Sequence, residues 1–148
     1  MDNVWWVWEP YFGIETALNT GALFGMGAGK SHFFALLSIV AMLAILGWLF
    51  WGGAARDWWL TIALGSVMGG ILGNLYDRLG LWGGPGLPGE LQTAVRDWIL
   101  IRYGAFTWPN FNVADSLLVC GAAMLLWHAF REQRTPPAEP VLANKSRA

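Results

Sequence analysis

Phe111-Asn112-Val113-Ala114-Asp115-Ser116 opens the last long apolar run of the chain, Val113 to Phe130, directly after Trp108-Pro109. That run is close to the length needed to cross a bilayer. A carboxylate at the mouth of such a helix is expensive unless it is paired or used. Two readings of Asp115 follow. In one, Asn112 is the N-cap and Asp115 stands at N3, where the helix dipole favours an anion. In the other, Asp115 is half of a catalytic carboxylate pair.

Working outward, the same length criterion finds two more runs. Phe33 to Trp51 is interrupted only by Ser38 and Gly47, and Trp58 to Tyr76 follows a tight connection, Gly52 to Asp57. The 148-residue chain is 55% hydrophobic and 13% charged, where a soluble domain carries roughly a quarter charged residues. These features predict a mainly α, polytopic membrane protein with helices near 31–52, 57–77 and 113–132. Many of the 11 tryptophans flank the apolar runs, as the membrane interface favours. In the second run, Gly65, Ser66, Gly69, Gly70 and Gly73 recur at three- and four-residue spacings, a small face suited to close helix approach in lipid.

The segments between are shorter and more polar. Val4 to Trp8 is too short to span, and Glu9-Pro10 ends it. Trp5, Trp6 and Trp8 are therefore expected at the interface, with no signal-peptide pattern around them. Phe12 to Phe24 reads as strands and turns. Residues 77–112 form the longest polar connection, broken by Gly83 to Gly89, and Leu91 to Tyr103 reads as a short surface helix. The organisation expected is an interfacial, extracytoplasmic segment at 1–30, a membrane domain at 31–132 and a disordered cytoplasmic tail at 133–148.

Net charge is −1, which gives no reason to expect a nucleic-acid partner. The single Cys120 excludes an intrachain disulfide framework and a cysteine-based zinc site. His32 and His128 stand at no metal-ligand spacing, so no metal site is expected from them. Arg131, Arg134, Lys145 and Arg147 in the tail and Arg56 in the short connection place both in the cytoplasm by the positive-inside rule. The 77–112 connection holds Arg78, Arg96 and Arg102, which run against that bias and are expected to have work of their own.

Three alternating spans bring the start of the first, the end of the second and the start of the third to one membrane face. Asn19-Thr20-Gly21, Gly73-Asn74-Leu75-Tyr76-Asp77-Arg78, Asp97 and Phe111 to Asp115 all belong there. Asp77 ends a helix, where the dipole disfavours an anion, so a salt bridge to a loop arginine is the plain reading. Adjacent Arg78 is poorly placed to be that arginine. Asn74 lies three residues before Asp77, on the same face. Asp97, in Val95-Arg96-Asp97-Trp98-Ile99, reads on its own as a solvated surface carboxylate. Two aspartates sharing a proton can activate water and polarise a carbonyl without metal, serine or thiol.

Gly73-Asn74-x-x-Asp77-Arg78 and Phe111-Asn112-x-Ala114-Asp115 resemble the G-N-x-x-D-R and F-N-x-A-D signatures of the bacterial lipoprotein signal peptidases, or signal peptidase II. Asn19-Thr20-Gly21-Ala22-Leu23-Phe24-Gly25 resembles the family's N-x-G-x-x-F/G element, and Val95 to Trp98 its V-x-D-F/W-like element. The likeness covers roughly Pro10 to Arg131. It implies an aspartic endopeptidase of the bacterial inner membrane, multi-pass, with its site at the extracytoplasmic face. Such an enzyme cuts diacylglyceryl-modified prolipoproteins just before the lipid-bearing cysteine and needs no cofactor. By match, Asp97 and Asp115 are the catalytic pair. Asn19, Gly21, Asn74, Arg78 and Asn112 position substrate or brace the pair, and Asp77 braces Arg78 or a neighbour. Prolipoprotein substrates and membrane lipids are the expected partners. Two departures stand out: the spacing from Asp77 to Asp97 is long, and the family's usual first transmembrane helix has no counterpart after Met1. Alternatives are a non-enzymatic helical scaffold or assembly protein, for which the small face suffices, and a shortened, inactive homologue.

Overall fold

The computed structural model describes residues 4–22, 26–83 and 86–134. In chain order these form strands β1 (Trp5–Trp8) and β2 (Phe12–Asn19), helices α1 (Ser31–Phe50) and α2 (Trp58–Arg78), strands β3 (Val95–Tyr103) and β4 (Phe106–Phe111), and helix α3 (Val113–Arg134). Single 3-10 turns, Ala54–Arg56 and Gly89–Thr93, precede α2 and β3.

All three helices are long and apolar enough to cross a membrane, as their sequence predicts. α1 buries only Ser31, Ala35 and Ile45, and Phe33, Leu36, Val40 and Leu43 are exposed. A helix apolar on every side is the form that suits lipid. α2 is the middle helix, packed against both others. Its N-terminus is capped by Asp57, whose Oδ1 accepts the N–H groups of Trp59 and Leu60 at 2.7 and 3.1 Å. Leu64 and Ile71 of α2, with Ile45 of α1, form the core, and Leu118 and Leu125 of α3 pack on it.

The small face of α2 does meet another helix, but rotated from the Gly65-Gly69-Gly73 line that the spacing suggests. A methyl group built on Gly70 would lie 2.5 Å from the Ala114 carbonyl oxygen, and one on Gly73 would lie 2.8 Å from Ala114 Cβ. At Gly69 the nearest atom is Leu117 Cδ1 at 3.4 Å, and at Gly65 there is nothing within 4 Å. Gly121 of α3 completes the contact from the other side, 2.8 Å from the Ala63 carbonyl oxygen by the same measure.

The four strands make one antiparallel sheet in the order β1-β2-β3-β4. The strand expected after Phe12 is β2, whereas Trp5 to Trp8 form β1 on its edge. The surface helix expected over Leu91 to Tyr103 is instead a 3-10 turn followed by β3. Val-Arg-Asp-Trp-Ile-Leu-Ile-Arg-Tyr is rich in β-branched and aromatic residues, and pairing on both edges, with β2 and β4, satisfies its backbone. β3 and β4 are joined through Gly104 at φ 58, the left-handed backbone that a two-residue hairpin favours. Pro109 is tolerated because β4 is an edge strand. The disordered tail expected from 133 begins inside α3, which runs to Arg134, and otherwise lies outside the described residues, as do Leu23 to Gly25 of the N-x-G element.

Candidate active site

Asp115 sits in the first turn of α3 and Asn112 at its mouth. The Asn112 N–H donates to Asp115 Oδ2 at 3.0 Å, and the Asp115 N–H donates to Asn112 Oδ1 at 3.1 Å. This is the reciprocal capping arrangement read from the sequence. It does not exhaust either residue. Asp115 Oδ1 accepts the Asn74 amide at 2.8 Å. Asn112 Nδ2 donates to Asn74 Oδ1 at 3.1 Å and to Asp97 Oδ1 at 2.9 Å. Asn112 therefore touches both aspartates, one through its backbone and one through its side chain.

Asp97 is not a solvated surface group. It is 5% exposed, and its second oxygen, Oδ2, accepts the Asn19 amide at 3.0 Å. Sheet register explains that contact. Asn19 pairs with Val95 and Ala17 with Asp97, while Ile14 pairs with Ile99. β2 thus carries one extra residue between Ile14 and Ala17, a bulge that re-aims its last residues. Asn19 becomes the diagonal neighbour of Asp97 on the same sheet face. Asn19 is held in turn by the Gly21 N–H, 2.9 Å from its Oδ1, and by the Ala22 carbonyl, 3.2 Å from its Nδ2.

Burial pushes the Asp97 carboxyl above the usual carboxylate range, and the charge of Asp115 adds to this. Hydrogen bonds from Asn19 and Asn112 and the charge of Arg78 work in the opposite direction. The two carboxylates are therefore close enough to feel each other, with one partly stripped of water. This is the condition under which a pair retains a proton.

The sequence-predicted residues sort cleanly. Asn19, Asn74, Asp97, Asn112 and Asp115 form one connected cluster contributed by β2, α2, β3 and α3. Arg78 donates to the Gly21 carbonyl at 3.2 Å and stands 5.4 Å over the Phe34 ring, tying the end of α2 to the start of α1. Asp77 accepts from Arg96, with Nη2 to Oδ1 at 2.7 Å, Nε at 3.2 Å from both oxygens, and the main-chain N–H to Oδ2 at 2.9 Å. It braces that neighbour rather than Arg78, and its hydrogen bonds hold the Arg96 guanidinium charged to higher pH than usual. The third loop arginine, Arg102, lies 5.2 Å over the Trp6 ring. All three arginines that run against the charge bias thus have partners. A groove of about 490 Å³ opens beside the cluster, with Asn74 and Asn112 in one wall and Ile14, Tyr76, Trp98 and Val113 among the others. Arg96 and Trp98 escaped the sequence reading as site neighbours because they face the groove only once β3 is a strand.

The opposite end of the bundle carries Asp57, Trp58 and Trp59 against His128, Arg131 and Glu132. His128 Nε2 lies 3.4 Å from Glu132 Oε1. Neither His128 nor Cys120 approaches the aspartates. Among the described residues, no group of three or more histidine, cysteine, aspartate or glutamate side chains is arranged to hold a metal ion.

The chain is similar to the lipoprotein signal peptidase of Rhodopirellula baltica, 59% identical over 138 residues, covering 93% of this chain and 62% of that one. It is 40% identical over 130 residues to the enzyme of the same name from Pseudomonas syringae pv. tomato, covering 84% of this chain and 68% of that one. It spans less than two thirds of the first relative's length. A bacterial membrane enzyme structure determined by the in meso method at 2.3 Å has the same fold, with a TM-score of 0.78 over 95% of this chain and 79% of that one, at 24% identity. A family model described as signal peptidase (SPase) II matches residues 1–131, and the chain belongs to that family.

Proposed function

We propose that this chain is a membrane aspartic endopeptidase that removes signal peptides from diacylglyceryl-modified prolipoproteins, cutting before the lipid-bearing cysteine. The observation that carries the proposal is the convergence of Asp97 and Asp115. They come from a strand and a helix mouth, and local structure gives them no reason to meet, yet Asn112 binds both. A scaffold has no use for a buried carboxylate joined through one asparagine to a second carboxylate.

The chemistry follows from the geometry. The pair shares one proton, which rests more on buried Asp97. Asp115, facing two N–H donors, takes a proton from an attacking water. The proton on the pair polarises the scissile carbonyl and then passes to the leaving nitrogen, so each carboxyl alternates between acid and base. Asn19, Asn74 and Asn112 hold the carboxyls at fixed spacing, which removes reorganisation from the reacting step. Arg78 ties the end of α2 to the turn after β2 through the Gly21 carbonyl and to the start of α1 through the Phe34 ring. With the cluster at the ends of three apolar helices, the lipid part of a substrate stays in the bilayer while its peptide bond meets water.

The site belongs at the extracytoplasmic face of the bacterial inner membrane. Arg56 and Arg131 lie at the opposite end, and the arginines near the site are occupied by Asp77, the Gly21 carbonyl and aromatic rings. Residues 1–30 then lie outside with the sheet, and the segment after α3 in the cytoplasm. The decisive experiment is cleavage of a lipid-modified precursor peptide in detergent by folded Asp97→Asn and Asp115→Asn variants. Each is expected to lose two to four orders of magnitude in rate, about what removing a catalytic acid or base costs, and the double variant to be little worse than either. Near-normal turnover by either single variant would end the assignment.

A further inference from the structure

Asn74 and Asp77 are three residues apart and share one face of the last turn of α2. Asn74 holds α3 by bonding Asp115. Asp77 holds β3, because Arg96 closes on it with its main-chain N–H and with a two-point guanidinium contact. A single helical turn thus fixes the carriers of both aspartates. Arg96 precedes Asp97, so the bond from its main-chain N–H anchors the backbone one residue from the carboxyl.

We propose that Arg96 is a positioning residue for the hydrolysis, acting through Asp77 to set the backbone of Asp97 against the helix that sets Asp115. Neither group contacts the reacting atoms. The side chain of Asp77 is 8% exposed, while that of Arg96 is 41% exposed and its guanidinium lies 5.1 Å over the Trp82 ring. The indole leaves the guanidinium a fixed plane, and a bidentate arginine–carboxylate pair adds geometric constraint beyond its charge. An ion pair needed only for stability has no need of a backbone bond from the residue beside Asp97. Without the guanidinium, Asp77 keeps one backbone donor and β3 can shift along the end of α2. A displacement near 1 Å at a reacting group costs on the order of a hundredfold in rate.

This inference rests on the aspartate-pair reading, so Asp97→Asn is run beside the test variants. Arg96→Met removes the fork and keeps most of the side-chain length, and Arg96→Lys keeps the charge with a single ammonium. Turnover of the lipid-modified peptide is measured per folded enzyme, as kcat and KM separately. Arg96→Met is expected to lower kcat on the order of tenfold or more, with KM changed by no more than about twofold, since the substrate's own contacts remain. Arg96→Lys is expected to recover part of the loss. A residue that only stabilises would reduce the folded yield and leave kcat intact. If Asp97→Asn is inactive while folded Arg96→Met turns over within about twofold of the parent, the clamp is refuted and the pair stands. If Arg96→Met fails to fold, an unchanged kcat in Arg96→Lys refutes it equally, and a lowered kcat with unchanged KM supports it. Activity in Asp97→Asn would remove the reading beneath both.

Discussion

Gly70→Ala is the sharpest test of how the helix pair holds the site. The added methyl would stand 2.5 Å from the Ala114 carbonyl oxygen and 2.6 Å from Leu118 Cγ. The first obstacle is backbone and cannot rotate away. To reach an ordinary contact, α2 and α3 must part by roughly half an ångström to one ångström. Overpacking of this kind costs about 1–3 kcal/mol, and a clash with backbone belongs in the upper part of that range. Alanine recovers up to about 1 kcal/mol through its better helix propensity, leaving a net loss of about 1–2 kcal/mol. Gly65→Ala meets nothing within 4 Å, so it keeps the propensity gain alone and serves as the control. The catalytic consequence is separate. Ala114 precedes Asp115, and Asn74 lies one turn beyond Gly70, so parting the helices stretches the 2.8 Å bond between Asn74 and Asp115. Turnover per folded Gly70→Ala enzyme is expected to fall by about tenfold or more, with Gly65→Ala unchanged. The assays are thermal unfolding in detergent and precursor cleavage. Equal midpoints and equal kcat in the two variants would refute the packing account.

Other outcomes follow from the same structure. Asp97 keeps its proton to higher pH in the folded protein than in the unfolded chain. The folded state therefore binds more protons in the window that opens upward from about pH 4, the usual carboxylate value, and stability falls as pH rises through it. The stability difference between parent and Asp97→Asn should accordingly move in favour of the variant between acid and neutral pH, and parallel pH curves of the two unfolding midpoints would refute the burial effect. Asp57→Ala removes the acceptor for the Trp59 and Leu60 N–H groups and should cost about 1 kcal/mol. It should leave kcat untouched because it lies at the far end of the bundle, and a large kcat change would contradict that separation. Asp115→Asn retains a capping side chain, so its stability should change by about 1 kcal/mol or less while its activity collapses. A collapse of stability instead would make Asp115 a structural residue.

The helices were legible because a bilayer-length apolar run has few other uses, and their observed bounds differ from expectation by two residues or fewer. The sheet was not. β3 is two thirds apolar, and its charges at Arg96, Asp97 and Arg102 imitate an amphipathic helix. Its partner β2 lies some 80 positions upstream, and bulges break the pairing with both neighbours. No local window contains that information. The aspartates divide in the same way. Asp115 was visible at a helix mouth with its capping partner beside it. Asp77 was correctly expected to pair with a loop arginine, but which one depended on the strand. Asp97 and Asn19 carried weight only through family resemblance, because their meeting is a matter of register between distant strands. The small face of α2 was read with the right residues and the wrong rotation. Gly70 and Gly73 face α3 but Gly65 does not, a difference that spacing alone cannot express.

The bond between Asn19 and Asp97 joins residues 78 positions apart, with α1 and α2 lying between them in the chain. Asn19 of strand β2 is made before Asp97 and lacks that partner until two apolar helices have followed it. The bond that Asn74 donates to Asp115 adds a third helix to that requirement. Closing contacts over such separations is slow, because the entropy of bringing the ends together must be met before the contact rewards it. The peptidase chemistry proposed for the finished protein is therefore scheduled last. A ribosome-bound or half-inserted chain holds Asp97 without its second amide and without Asp115, and cannot cut. Maturation of the nascent protein acts as its own safety catch.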